Sequence, residues 1–151
     1  MRTLTVTLLL AAFLALPALA EPPVRDHLPE PADYFDLIGL GNLVLSPDGE
    51  LVAHSESRWG RGKEGRSRDL WVVGRDGQDR RRLTFDGFGP GAVAWGPGGN
   101  DIWCLGRVDD GLDAPPRDGS RQVWRVPTDS GAPVPVTRVK DGVDDFTLAP
   151  D

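Results

Sequence analysis

Few side chains in this sequence are able to do chemistry, and their spacing does not bring them together. The 151 residues hold two histidines, His27 and His54, and a single cysteine, Cys104. Acyl transfer needs a serine or cysteine beside a histidine base, and on an α/β-hydrolase scaffold the serine sits in a Gly-x-Ser-x-Gly elbow. The sequence contains no such pentad. His27 falls in a proline-rich stretch, and His54 shares one strand-like run with Ser55 and Ser57, so neither is poised as a triad base. Cys104, inside Ile102-Trp103-Cys104-Leu105, reads as a small buried hydrophobe rather than a nucleophile. As the only cysteine it also leaves no internal disulfide. Asp109, Asp110 and Asp113 offer oxygens to a hard cation, but the alternation and closing glutamate of a calcium loop are lacking, and they read as solvated acids. We assign no catalytic, cofactor-binding or metal-binding residue in this chain and expect no cofactor.

Charge and hydropathy define the setting. Met1-Arg2, the uncharged run Leu4 to Leu16 and the small-x-small ending Pro17-Ala18-Leu19-Ala20 have the three parts of a cleavable secretory leader. The apolar run is too short to span a bilayer, which takes about 20 residues. Cleavage is expected after Ala20, giving a periplasmic or secreted product with no membrane attachment. Removing residues 1–20 takes away Arg2 and no acid, so the formal charge moves from −6 to −7. An acidic chain argues against nucleic acid as a partner. The one basic cluster, Arg80-Arg81-Arg82, stands among Asp76, Asp79 and Asp86 and reads as a solvated strand edge.

Stepping along the chain, internal repetition dominates. Leu43-Val44-Leu45-Ser46-Pro47-Asp48-Gly49 aligns with Val93-Ala94-Trp95-Gly96-Pro97-Gly98-Gly99 and with Phe146-Thr147-Leu148-Ala149-Pro150-Asp151. Asp69-Leu70-Trp71-Val72-Val73 aligns with Gln122-Val123-Trp124-Arg125-Val126, and Leu83-Thr84 with Val136-Thr137, both pairs 53 residues apart. Trp71 to Trp95 and Trp124 to Leu148 are each 24 residues. The pattern predicts four short strands per unit: Leu43–Ser46, Leu51–Ser55, Asp69–Gly74 and Arg81–Phe85, then Ala92–Gly96, Asp101–Leu105, Gln122–Pro127 and Val134–Arg138. Ser46-Pro47-Asp48-Gly49 has tight-turn chemistry, with φ preset at Pro47 and a glycine for positive φ. The charged segments Ser57–Arg68 and Val108–Ser120 are expected to be surface loops, and Pro31–Ile38 one short helical turn.

The fold class expected is all-β: a partial β-propeller of two complete four-stranded blades and the start of a third, with part of a sandwich as the rival. The divisions are 1–20 leader, 21–42 lead-in, 43–87 first blade, 88–142 second blade and 143–151 the first strand of a third. The tryptophans at 71, 95, 103 and 124 are expected in the core between blades. Because a propeller closes with about 4–8 blades, the chain is expected to be C-terminally truncated. Alone, it should leave apolar faces and a sheet edge uncovered.

The repeat wording, Ser46-Pro47-Asp48-Gly49-x-Leu51-Val52-Ala53, Asp69-Leu70-Trp71-Val72-Val73-x-x-Asp76-Gly77 and Arg81-Arg82-Leu83-Thr84, resembles TolB-like propeller blades. With Asp33-x-Phe35-Asp36-Leu37 before it, the chain looks like the start of bacterial prolyl oligopeptidase-family serine peptidases, the acylaminoacyl-peptidase and dipeptidyl-peptidase types. The resemblance covers about Asp33 to the end. It implies a propeller followed by an α/β-hydrolase domain with a Ser, Asp, His triad, none of which maps onto this sequence. It also implies short peptides as substrates of the whole protein, with the propeller gating access. The other reading is a non-catalytic TolB-like propeller, a periplasmic binding scaffold of the cell envelope.

Overall fold

The repeat becomes two separate four-stranded antiparallel sheets. They are seen in a computed structural model that describes residues 27–60, 62, 64–129 and 131–149; the expected leader lies outside the described residues. A 3₁₀ turn, Pro31–Asp36, precedes the first sheet. That sheet is a meander of β1 (Gly39–Leu45), β2 (Leu51–Trp59), β3 (Arg66–Gly74) and β4 (Arg81–Arg82). The second repeats it with β5 (Gly91–Trp95), β6 (Asp101–Asp109), β7 (Asp118–Pro127) and β8 (Val134–Pro135). The described residues include no helix long and apolar enough to cross a membrane.

Each repeat landmark has a physical job. At the first turn, Ser46 N donates to Leu51 O and Gly49 N to Ser46 O, while Ser46 Oγ donates to Asp48 Oδ1 at 2.6 Å. Gly49 takes φ +76°, a left-handed value that costs a residue with a Cβ about 1–2 kcal/mol. Gly96 N and Gly99 N make the matching bonds to Asp101 O and Gly96 O in the second unit. The third landmark explains where the last strands stop. Leu83 N donates to Leu70 O, and then the Thr84 hydroxyl takes over as acceptor for Leu70 N at 2.9 Å. Val136 and Thr137 repeat this on Val123, with Val123 N donating to Thr137 Oγ1 at 2.9 Å. A side chain thus replaces the ladder partner, and β4 and β8 are two residues each rather than the expected five.

Two expectations on element bounds are corrected. The first strand starts at Gly39, inside the stretch read as lead-in. The two charged segments are strand at both ends: β2 runs through Trp59 opposite Arg66, and β6 to Asp109 opposite Asp118, leaving 60–65 and 110–117 outside the ladder. Charged and polar side chains on an exposed hairpin can stand out into water while the backbone stays paired, so polarity there does not signal a loop. Residues 143–149 carry no ladder pairing.

The sheets pack in one specific orientation. Ala53, Leu70 and Val72 of the first meet Ile102, Cys104, Trp124 and Val126 of the second, with Phe88 and Trp95 completing the buried cluster. Each fully buried Leu, Ile or Val contributes about 1.5–3 kcal/mol of transfer free energy. Strand β1 lies beside β5, where Trp95 Nε1 donates to Val44 O at 2.9 Å and Asn42 Nδ2 to Pro90 O at 3.3 Å. In repeat register, Cys104 and Trp124 correspond to His54 and Trp71, which are themselves cross-strand partners. Yet Cys104 and Trp124 face the first sheet, while His54 and Trp71 lie on the first sheet's far side. Equivalent faces therefore point the same way, and the packing is head-to-tail. Trp95 and Trp124 are buried between the sheets as expected, whereas Trp71 and Trp103 sit half-buried on the outer faces, which no further sheet covers among the described residues.

Candidate functional site

His27, His54, Cys104, Asp109 and Asp110 are all engaged structurally, and Asp113 stands exposed between β6 and β7. His54 is buried with Nε2 3.1 Å from Glu56 Oε1. Its neighbours Ser55 and Ser57 project from the opposite face, so no serine hydroxyl meets the imidazole. His27 Nε2 lies 3.1 Å from Asp33 Oδ1 at the 3₁₀ turn. Cys104 is buried, and burial pushes its thiol up to about 12, which removes the thiolate needed for nucleophilic attack at neutral pH. Asp109 Oδ1 accepts from Gly111 N, and Asp110 Oδ2 from Arg117 Nη1 at 2.6 Å. Among the described residues no group of three or more His, Cys, Asp or Glu side chains converges.

The arginine cluster does more than solvate an edge. On the outer face of the first sheet, Glu56 is 4% exposed and accepts from Arg80, from Arg58 Nη2 at 2.7 Å and from His54. Burial pulls the Glu56 carboxyl upward, but donation from Arg80, Arg58 and His54 outweighs it and brings the group down to about 2. Arg80 also lies over the Trp71 ring, 4.1 Å from its centroid. Arg82 Nη2 holds Asp69 Oδ2 at 2.7 Å, while Asp69 Oδ1 is buried with no hydrogen-bond partner among the described residues. Burial accordingly raises the Asp69 carboxyl against the pull of Arg82.

Two concavities stand out among the described residues. A groove of about 610 Å³ runs between the β4–β5 connection and the β6–β7 hairpin, with Phe88 and Trp124 in its floor. Its rim mixes Asp86, Arg107 and the mutually paired Asp110 and Arg117, so it presents no single sign of charge. The second is a cleft of about 300 Å³ at the start of β1, lined by Gly39, Leu40, Gly41, Asn42, Ser55, Ser57, Arg66 and Arg68. Cross-strand register builds it: Gly39, Ser57 and Arg68 form one row, and Gly41, Ser55 and Leu70 the next. The period of two in Gly39-x-Gly41, Ser55-x-Ser57 and Arg66-x-Arg68 puts each pair on one face. That spacing is visible in the sequence, but it joins the three pairs into one row set only because 57–59 and 66–68 are paired strand rather than loop. Compared with known proteins, the chain matches no family and no curated protein.

Proposed function

We propose that the two sheets are consecutive blades of a β-propeller in an exported serine peptidase of the prolyl oligopeptidase type. In this reading the chain supplies no bond-breaking group. It controls which short peptides reach an α/β-hydrolase domain carried elsewhere in the protein, in the periplasm or outside the cell. The head-to-tail packing is the observation that carries the blade reading. A sandwich buries two inner faces against each other, whereas a heterologous contact repeated at a constant rotation closes into a ring. The position of β1 beside β5, with each meander running outward from there, supports the same arrangement. The peptidase assignment rests on the TolB-like wording of the repeat and on Asp33-x-Phe35-Asp36-Leu37. A non-catalytic envelope scaffold of TolB-like type is the rival, favoured by the donor-lined cleft and the lack of a nucleophile elbow in this sequence. Labelling of the full-length gene product with a fluorophosphonate separates the two. The peptidase reading expects one labelled serine outside residues 1–151, and an unlabelled, folded protein overturns it.

A further inference from the structure

The cleft at the start of β1 has a one-sided chemistry. Among the described residues, its polar side chains are the guanidinium groups of Arg66 and Arg68, the hydroxyls of Ser55 and Ser57 and the Asn42 amide, and no carboxylate lines it. Neither arginine makes an ion pair among the described residues. Arg66 is occupied only by a long 3.4 Å bond to Ser57 O and by the Trp59 ring, 5.8 Å from its centroid. The acids of the two central strands are spent on the opposite face, Glu56 on Arg58 and Arg80, and Asp69 on Arg82. Ser55 is 3% exposed, and its Oγ accepts from Asn42 Nδ2 at 3.3 Å, which leaves the hydroxyl proton for another acceptor.

The floor is bare where a ligand would rest. A Cβ at Gly39 would stand 3.2 Å from Arg66 Nη2, and one at Gly41 3.2 Å from Ser55 Oγ. Side chains there would crowd both donors from the cleft side. The volume is at the lower end of small-ligand sites, roughly 300–1,000 Å³. Guanidinium forks match planar carboxylates in two-point contact. The chain's net charge of −6 disfavours a multiply charged anion over a single one.

We infer that Arg66, Arg68 and Ser55 form a binding site for the C-terminal carboxylate of a short peptide. The peptide as the source of that carboxylate rests on the peptidase reading above. The site would select ligands by their free end, a positioning task that needs no nucleophile.

The test is calorimetric titration of the full-length protein with trialanine, trialanine amide, acetate and inorganic phosphate, peptide integrity being checked by mass spectrometry. Charge-assisted contacts of this kind predict that trialanine binds about tenfold or more tighter than its amide. R66Q/R68Q should abolish that difference with an unchanged thermal melt, and R66K/R68K, keeping charge without the fork, should retain part of it. Equal binding of acid and amide, or a difference that survives R66Q/R68Q, overturns the site. Acetate or phosphate binding as tightly as trialanine overturns the peptide end as its ligand. Binding is read without turnover, so an acid preference in a protein that takes no fluorophosphonate leaves this site standing and removes the peptidase. Labelling without the preference does the reverse.

Discussion

With both carboxylate oxygens engaged and almost no contact with water, Glu56 is the residue whose loss leaves the most behind. Two arginines and His54 would face one another on the first sheet's outer face. Removing one partner of a buried ion pair costs about 3–5 kcal/mol. Arg58 and Arg80 are each more than 40% exposed and would be partly rehydrated, so we expect E56Q to lose about 2–3 kcal/mol in urea unfolding at pH 7. The carboxyl falls from 4.5 to about 2 on folding, so its stabilisation is fully present above pH 4.5 and is lost as pH falls toward 2. The gap between wild type and E56Q should therefore shrink between pH 6 and pH 3; a gap that stays constant would show that the charge is not the cause. Cys104 gives a second check at this scale. Its buried thiol, pushed up to about 12, should not react with a disulfide reagent at pH 8 in the native protein and should react fully in urea. Rapid native labelling would contradict the packing of β6 against the first sheet.

At the scale of the element, Gly106 on β6 is held to glycine by its neighbours. A Cβ there would run into the Phe88 ring, which is itself fixed edge-on against Trp124 at 5.6 Å. The Trp124 indole donates to Gly106 O at 3.1 Å. Admitting the methyl requires the Phe88 ring to shift off Trp124, so G106A should lose about 2–3 kcal/mol by overpacking, measured by chemical denaturation. G49A, with nothing within 4 Å of the added Cβ, should lose only about 1 kcal/mol from its positive φ. Equal losses would mean that the turn, not the core, limits the fold. The same elements show what the sequence made legible. The Ser-Pro-Asp-Gly turn, the central strands and the Leu-Thr and Val-Thr landmarks were readable, because turn chemistry and alternation are local. The hairpin extensions were not, because a paired strand in water carries the same charged residues as a loop. The donor-lined cleft was hidden with them, since Arg66 and Arg68 belong to it only once β3 is known to begin at Arg66. No local signal told which face of each sheet turns toward the other.

That orientation has a consequence for the whole molecule. In repeat register Leu45 corresponds to Trp95: the first pairs with Val52 and the second with Ile102, at the same place in their sheets. Trp95 is 8% exposed because the first sheet covers it, while Leu45 is 58% exposed and Leu40 63%. Trp71 is half-buried beneath Arg80 where its counterpart Trp124 is wholly enclosed. The first sheet's outer face thus has the residue pattern of a covered face. In the blade reading, another sheet of the protein lies against it as the first lies against the second. An exposed leucine tolerates substitution within about ±0.5 kcal/mol, whereas a leucine packed at such an interface loses about 2 kcal/mol or more when a charge is introduced. We therefore expect L45E to destabilise the full-length protein by at least about 2 kcal/mol, while E50Q, at the exposed turn beside it, stays near neutral. Chemical denaturation of the three proteins decides the matter. If L45E is as neutral as E50Q, nothing covers that face, and head-to-tail packing ends with these two sheets.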